Sequence, residues 1–169
     1  MGRIVEDTAE LAKMLARHRA AGRRVVMANG GFDLLHVGHI RYLRGAAAQG
    51  DVLVVAVNSD RSVRSNKGPG RPLMPLAERM EILSAIEGVA YVTSFDEATC
   101  DRLLESLRPD VHAKGPDYTP QNLPERETLR RLGIRLAIVG DPKDHASTTI
   151  LNRMRQAQTA VESNNDVGE

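Results

Sequence analysis

Residues 25–50 read VVMANGGFDLLHVGHIRYLRGAAAQG, and this stretch decides the fold. Four apolar residues, 25–28, lead to a doubled glycine, Gly30-Gly31, which is typical of a buried parallel strand that ends where a ligand approaches the backbone. From Val37 onward apolar residues recur with helical period. The stretch therefore predicts a strand, a glycine turn and a helix.

Two histidines, His36 and His39, stand three residues apart at the first turn of this predicted helix. A helix N-terminus presents unpaired N–H groups and the positive end of the helix dipole, and both favour a bound phosphate. Two imidazoles at the same place add hydrogen-bond donors for phosphoryl oxygens. Zinc is the alternative ligand for such a pair, but no cysteine pair or third ligand stands at useful spacing. We therefore expect a phosphate site and no metal site built from these side chains.

Composition limits the class of protein. The 169 residues suffice for one domain with a sizeable core, and 23 basic against 22 acidic residues argue against an extended nucleic-acid surface. The single cysteine, Cys100, excludes an internal disulfide and fits a reducing compartment. No run approaches the length of a membrane span, and the first residues lack the apolar region of a signal peptide. We expect a soluble cytoplasmic protein that binds neither nucleic acid nor membrane.

Apolar runs alternate with helical patterns along the rest of the chain, which predicts an α/β fold: a Rossmann-like, open, parallel five-stranded sheet with helices on both faces. Residues 1–156 form the predicted single domain, and the polar residues 157–169 are expected to be a disordered tail. The five predicted strands cover residues 25–28, 52–57, 89–95, 110–114 and 134–139, and the predicted helices cover 8–21, 37–50, 75–88, 97–107, 122–132 and a last one after 147.

Polar side chains follow the ends of several predicted strands, where parallel sheets bind ligands. Residues 58–72 form a polar, glycine-rich and basic segment that we interpret as a loop, with Lys67 and Arg71 able to reach the site. Lys114 ends a strand beside a glycine, and Ser147 or Thr148 caps the last helix, a second possible phosphate site. Arg79 lies within a helix and is either one half of a surface ion pair or a phosphate clamp.

The segment GGFDLLHVGH resembles the HxGH motif of the nucleotidyltransferase superfamily, in its cytidylyltransferase-like group. Further segments, AVNSDRSVRSNKGPGRPLMPLAERMEIL, KGPDYT and STTIL, resemble the heptose 1-phosphate adenylyltransferase branch. The resemblance extends over residues 24–156. Three positions depart from the usual pattern, namely Gly31, Pro116 and His112, which interrupts an apolar strand.

The resemblance implies a role for each matching residue. His36 and His39 would hold α- and β-phosphoryl oxygens, and with Lys67 and Lys114 they form the expected catalytic set. The remaining residues divide into a nucleotide-binding set and a substrate-binding set. The nucleotide-binding set is Gly30, Gly31, Phe32, Asp33, His36, Gly38, His39, Arg79, Lys114, Ser147, Thr148 and Thr149; the substrate-binding set is Asn58, Asp60, Lys67 and Arg71.

The resemblance also implies the reaction and its partners. AMP would pass from ATP to a sugar 1-phosphate, with Mg²⁺ carried mainly by the triphosphate, in a homodimer supplied by a separate sugar kinase. Asp33 would either help place Mg²⁺ or pin the turn by accepting backbone N–H groups, and we favour the second. A glycerol 3-phosphate cytidylyltransferase that uses CTP and a non-catalytic nucleotide-binding regulator remain the alternatives.

Overall fold

A computed structural model of the chain describes residues 1–141, 149–154 and 156–158. Within these residues there are six strands and six bounded helices, and residues 149–154 and 156–158 are also helical. In chain order the elements are β1 (Arg3–Ile4), α1 (Thr8–Ala20), β2 (Val25–Gly30), α2 (Val37–Ala47), β3 (Val52–Asn58), α3 (Asp60–Lys67), α4 (Leu76–Ser84), β4 (Val89–Phe95), α5 (Asp101–Leu107), β5 (Val111–Lys114), α6 (Arg126–Leu132) and β6 (Arg135–Ile138).

The strands form one parallel sheet in the order β1-β4-β3-β2-β5-β6. The chain starts its long strands at β2 in the middle, builds β3 and β4 on one side, and then crosses to build β5 and β6 on the other. The carboxyl ends of β2 and β5 therefore flank the point where the strand order reverses. In open α/β sheets this point is where ligands bind.

Helices cover both faces of the sheet, as predicted. Alternate residues of β2 supply the two cores: Val25 and Met27 pack with α1, α5 and α6, whereas Val26 and Ala28 pack with α2 and α4. Buried on both faces, the central strands are continuous apolar runs, which is why the sequence revealed them.

Two elements correct the sequence prediction. The five-stranded sheet has a sixth strand, β1, because Arg3 and Ile4 pair with the edge of β4; two exposed residues carry no periodic signal. The segment 58–72, predicted as a loop, contains the helix α3, whose N-cap Ser59 accepts a hydrogen bond from the backbone N–H of Ser62 at 3.1 Å. A capped helix of mostly polar residues lacks the apolar stripe on which the prediction depended.

The helices α5 and α6 begin four residues later than predicted, at Asp101 and Arg126. The predicted cap at Ser147 or Thr148 lies outside the described residues. Of the predicted tail 157–169, only residues 157 and 158 are described, and they are helical.

Candidate active site

A cleft of about 510 Å³ lies at the carboxyl ends of β2, β3 and β5. Tyr42 of α2 holds its floor in place between two strands. The Tyr42 hydroxyl donates to the Ala113 carbonyl of β5 at 2.8 Å and accepts from the Asn29 N–H of β2 at 3.3 Å. A phenol oxygen thus bridges the two main chains at the place where they separate. Burial raises the pKa of this hydroxyl, so it remains protonated as a donor.

His36 and His39 lie in the cleft as a stacked pair at the start of α2, with ring centroids 3.9 Å apart. The backbone N–H of His36 donates to Nδ1 of His39 at 3.3 Å. Because Nδ1 accepts this bond, the neutral His39 ring carries its proton on Nε2. The local sequence therefore fixes the tautomer that offers Nε2–H as a donor for a ligand oxygen.

The charge of His39 depends on what fills the cleft. Burial, together with repulsion from the neighbouring His36 and Lys67, lowers the pKa of His39 to about 4. The ring is therefore neutral near pH 7 without a ligand. Three basic groups so close together repel one another, and an anion between them relieves that repulsion.

The turn between β2 and α2 brings its backbone close to these groups. Phe32 adopts a left-handed conformation with φ of 46°, is buried, and packs against the His39 ring at a centroid distance of 5.4 Å. At Gly31 an added Cβ would lie 3.8 Å from Nζ of Lys67, the last residue of α3. The helix α3, missed in the sequence, is therefore the element that carries Lys67 to the cleft.

Lys114 occupies the floor of the cleft at the end of β5 and is only 4 % exposed. Its ammonium donates to Oδ1 of Asn29 at 3.1 Å and lies 3.4 Å from Oε2 of Glu125, which is also buried. The ring of Tyr118 lies 4.4 Å from the same nitrogen, a cation–π contact. A buried ammonium needs such compensation, and three different segments supply it.

Behind Lys114 the side chains of Cys100, His112 and Glu125 place one potential metal-ligand atom each within 4.8 Å of one another, and all three are buried. These atoms already pair among themselves. The Cys100 thiol donates to Oε1 of Glu125 at 3.3 Å, and Nε2 of His112 donates to Oδ1 of Asn29 at 3.1 Å. Lys114 balances the carboxylate charge, so the cluster is a hydrogen-bonded network that needs no cation for neutrality.

Burial sets the protonation states in this network. Burial raises the pKa of the Cys100 thiol, and the adjacent Glu125 carboxylate raises it further. Burial also lowers the pKa of His112 to about 3, with Lys114 contributing by repulsion. The Cys100 thiol and the His112 imidazole are therefore both neutral near pH 7.

Arg79 does not line the cleft, which corrects the interpretation of this residue as a phosphate clamp. Its guanidinium is buried in α4 and donates to the carbonyls of Asn58 at 2.9 Å and Met74 at 3.0 Å, and to that of Gly31. It also pairs with Asp60 at 2.7 Å. Arg79 is not the predicted surface pair either: it supports the cleft by tying together the ends of β2 and β3.

Asp33 and Arg71 form a second support outside the cleft lining. The fully buried Asp33 carboxylate accepts from the backbone N–H groups of Leu73 at 2.6 Å and Met74 at 3.1 Å, and it pairs with Arg71 at 2.5 Å. Although burial alone would raise it, the pKa of Asp33 is lowered by these bonds and by the Arg71 charge. Asp33 pins backbone, as favoured, but the backbone belongs to the 71–74 loop rather than to its own turn.

Most of the expected site residues meet in the cleft, and they come from five elements and from the turn between β2 and α2. The lining includes Gly30, Gly31, Phe32, His36, Gly38, His39, Asn58, Lys67 and Lys114. Asp33, Asp60, Arg71 and Arg79 are not part of this lining. Ser147 and Thr148 lie outside the described residues, and Thr149 is an exposed helical residue that does not line the cleft.

Sequence reasoning missed several residues that the structure brings to the same place. Asn29, Tyr42, Tyr118 and Glu125 all line the cleft. A signal existed for Asn29, a polar residue at the end of an apolar run, and for His112, a polar residue inside one. Nothing in the sequence joins Glu125 to Lys114, because a loop and a turn separate them.

The cleft lies at the switch point of a doubly wound sheet, and the family comparison agrees with this fold. Residues 27–154 match the family model described as Cytidylyltransferase-like. The chain belongs to the cytidylyltransferase-like family.

Curated relatives narrow the comparison. The chain is 43% identical over 155 residues to a protein of Alcanivorax borkumensis named bifunctional protein HldE, matching 92% of this chain and 33% of that protein. Proteins of the same name from Geobacter metallireducens and Streptomyces coelicolor are 44% and 47% identical over 147 residues each, covering 87% of this chain and 30% and 32% of theirs. The chain thus spans about a third of the length of these relatives.

A solved structure shares the fold. The lipopolysaccharide core biosynthesis protein from Thermoplasma volcanium matches with a TM-score of 0.62 and 27% sequence identity, over 72% of this chain and all of that one.

Among the described residues, no helix has the length and apolarity that crossing a membrane requires.

Proposed function

We propose that the chain is a nucleotidyltransferase that transfers AMP from ATP to heptose 1-phosphate, giving ADP-heptose and pyrophosphate. The observation that carries the proposal is the cleft itself, where the stacked His36–His39 pair, Lys67 and Lys114 face one space at the strand-order reversal. The resemblance to the heptose branch, the HldE name of the relatives and the lipopolysaccharide role named for the Thermoplasma protein support the sugar substrate.

The reaction is an in-line attack of the sugar phosphate oxygen on the α-phosphorus of ATP. The new O–P bond forms as the bond to the bridging oxygen breaks, and the electron pair leaves with pyrophosphate. Because the phosphate nucleophile is already ionised near pH 7, neither histidine is required as a general base. Catalysis then consists of positioning and of neutralising charge on crowded oxygens.

The described residues have matching roles in this proposal. The Nε2–H of His39 donates to a phosphoryl oxygen, and the His36 ring stacked on it supports and supplements that donor. Lys67 and Lys114 provide positive charge from two different elements, α3 and β5, and the Gly30–Gly31 backbone permits close approach. For Ser147, Thr148 and Thr149 we retain the expectation that they cap a helix over the outer phosphates.

Mg²⁺ fits this site as a companion of the triphosphate rather than as a resident of a protein cage. Mg²⁺ typically takes one or two carboxylates together with substrate phosphates and waters. Asp33 is occupied by Arg71 and two backbone N–H groups, and Glu125 faces Lys114. Asp117 and Asp141 also line the cleft, and Asp141 pairs with Arg41. When bound, Mg²⁺ neutralises the leaving pyrophosphate.

The test is a pyrophosphate-release assay that crosses ATP, CTP and GTP with heptose 1-phosphate and glycerol 3-phosphate. We expect release with ATP and heptose 1-phosphate at least tenfold above the other pairs. Preference for CTP with glycerol 3-phosphate would establish the cytidylyltransferase alternative. Nucleotide binding by calorimetry without any release would identify a non-catalytic regulator.

Three further parts of the proposal concern the setting of the reaction. We expect the protein to act in the cytoplasm as a homodimer, with a separate sugar kinase to supply the sugar 1-phosphate. Light scattering of the purified chain tests the dimer, and a coupled assay with a heptose kinase tests the supply. A monomer with full activity would contradict the expected homodimer.

A further inference from the structure

Lys114 is held on several sides before any ligand binds. An ammonium has three N–H donors. One is bonded to Asn29, and the Glu125 carboxylate lies 3.4 Å away. The Tyr118 ring also lies 4.4 Å from this nitrogen, and the described residues offer the third donor no hydrogen-bond acceptor, so it can meet a ligand in the cleft that Lys114 lines.

Lys114 is the one cation that pairs with Glu125 among the described residues. Oε1 of Glu125 accepts from the Cys100 thiol, whereas Oε2 is buried and accepts no hydrogen bond among the described residues. The ammonium of Lys114 is what compensates Oε2. A buried carboxylate with one oxygen left to a single cation is costly unless that cation stays in place.

Asn29 is arranged for the same purpose by His112. The Asn29 Oδ1 accepts from both Lys114 Nζ and His112 Nε2, each at 3.1 Å. With the His112 ring buried in β5, the amide oxygen is held towards the lysine from behind. Two acceptors on different elements, β2 and the N-terminus of α6, thus fix one ammonium.

We propose that Glu125 and Asn29 are positioning residues for Lys114: they hold its ammonium at the floor of the cleft so that its remaining donor meets a phosphate oxygen of a substrate. This inference rests on the proposed function, because it takes an anion of the reaction as the occupant of the cleft. Glu125 then acts on the substrates through Lys114 and not by contact.

The first test removes the negative charge of Glu125. Glu125→Gln keeps the shape of the side chain and removes its charge, and we expect a loss of about tenfold or more in kcat/KM, the effect of one weakened charge-assisted hydrogen bond. The matched control is Glu127→Gln on the same helix, since Glu127 pairs with Arg130 on the exposed surface. The control should stay within about twofold of the wild type.

The second test asks whether Glu125 acts through Lys114. In a Lys114→Met background, Glu125→Gln should produce no further loss beyond about twofold, in a double-mutant cycle. Equal losses in both backgrounds would overturn the proposal, because they would show an effect independent of the lysine. If Glu125→Gln melts early, Asn29→Ala replaces it in the same cycle with the same expectation.

The third test restores a negative charge beside Lys114, at residue 29 instead of residue 125. Asn29→Asp puts a carboxylate at the position that accepts from Lys114, so adding it to Glu125→Gln should recover most of the lost kcat/KM. A purely structural role for Glu125 predicts no such recovery. Failure of the recovery in a double variant with wild-type melting temperature would count against the proposal.

Calorimetry on the same variants separates this inference from the proposed function. We expect the coupling to appear in the dissociation constant of ATP or of heptose 1-phosphate, whichever anion contacts Lys114. Wild-type protein that binds these anions but releases no pyrophosphate would reject the reaction, and the binding cycle would still decide the role of Glu125. Wild-type turnover with no coupling in any constant would reject the inference alone.

Discussion

His39 combines a fixed tautomer with a suppressed charge. Its Nδ1 is occupied by the His36 N–H, so the ring has one donor, Nε2–H, to offer. A donor already in place at a phosphoryl oxygen needs little reorganisation when charge builds up there. The ring is therefore suited to transition-state stabilisation rather than to proton transfer.

Replacing His39 tests this role directly. We expect His39→Ala to lower kcat by about 10²-fold, the usual cost of losing one preorganised donor to such oxygens, with folding intact. Pyrophosphate release under saturating ATP measures the loss. Arg44→Ala, an exposed position on the same helix, serves as the control and should leave kcat unchanged. Unchanged turnover in His39→Ala would remove the residue from the mechanism.

Nucleotide binding should be linked to proton uptake at the same ring. The pKa of His39 is about 4 in the ligand-free protein, so at pH 6 the ring is neutral. A triphosphate beside it favours the charged form and raises that pKa, which means that binding takes up protons and strengthens as pH falls from 7 towards 5. ATP titrations at pH 6 in buffers of different ionisation enthalpy measure the uptake.

The conservative variant His39→Gln provides the comparison, because it retains a donor and cannot titrate. Proton uptake on ATP binding should be smaller in His39→Gln by the amount that His39 takes up. Any proton uptake by His36 should remain. Identical uptake in both proteins would show that His39 stays neutral when the nucleotide binds.

At the scale of elements, Arg79 joins pieces that are distant in sequence. One guanidinium satisfies carbonyls at the end of β3, in the turn after β2 and in the loop before α4, and it pairs with the first residue of α3. Three of these segments, the end of β3, the turn after β2 and α3, each contribute a residue to the lining of the cleft. Their relative placement therefore depends on a residue that a ligand does not need to touch.

Removing this junction should destabilise the whole domain. Arg79→Met leaves three carbonyls without their donor, and losing one partner of a buried charged network costs about 3–5 kcal/mol of unfolding free energy. Urea denaturation followed by circular dichroism measures the change. Arg64→Met, at an exposed position of α3, should remain within about 0.5 kcal/mol of the wild type. A similarly small change for Arg79→Met would contradict the supporting role.

The contact of Tyr42 in α2 with β2 and β5 can be tested with a variant that loses less stability than Arg79→Met. Tyr42→Phe deletes the oxygen between Asn29 and Ala113, leaving an N–H and a carbonyl unpaired, and should lower the unfolding free energy by about 1–3 kcal/mol. Amide hydrogen exchange at Asn29 should rise as well. Tyr118→Phe, which removes a hydroxyl from a partly exposed ring, should leave stability unchanged within about 0.5 kcal/mol.

At the scale of the whole molecule, His112 makes stability depend on pH. The pKa of His112 is about 3 in the folded protein, compared with an ordinary value of 6.5. Between these two pH values the unfolded chain binds a proton at His112 that the folded protein does not bind. The stability contributed by the neutral ring is complete above about pH 6.5 and declines progressively as pH falls towards 3.

We therefore expect the unfolding free energy to fall between pH 7 and pH 5, and less steeply in His112→Leu. Urea denaturation at both pH values, compared between the two proteins, gives the difference. This window lies above the range in which Asp33 titrates, because its pKa is lowered below 3.8. Equal slopes in the two proteins would exclude His112 as a source of the dependence.

Much of this architecture could be predicted because the central strands are buried on both faces. The apolar runs of β2, β3 and β4 are visible in the sequence. The helix α1 begins at Thr8 as predicted, and its N-cap Asp7 accepts from the backbone N–H groups of Ala9 and Glu10. The short edge strand β1 and the polar helix α3 bury too few side chains to leave a pattern. A periodic pattern of apolar residues reveals a buried face, and few residues of β1 and α3 are buried.

The site was predictable to the level of its motif but not of its supports. His36, His39 and Lys114 were predicted as site residues because each lies at a strand end or at the start of a helix, and Lys67 was predicted because its segment follows β3. Whether a cation faces a ligand or a set of carbonyls depends on tertiary contacts, which is why Arg79 was assigned to phosphate. The pairing of Lys114 with Glu125 likewise arises only when β5 and α6 come together.

The phenol oxygen between Asn29 and Ala113 also bears on how the protein meets its first substrate. Because a side chain of the protein itself spaces the two main chains, the opening between them does not depend on a bound nucleotide. Association then carries no penalty for parting the strands, a form of preorganisation. Crystals grown without nucleotide should accordingly admit ATP by soaking, with the lattice and the central backbone unchanged.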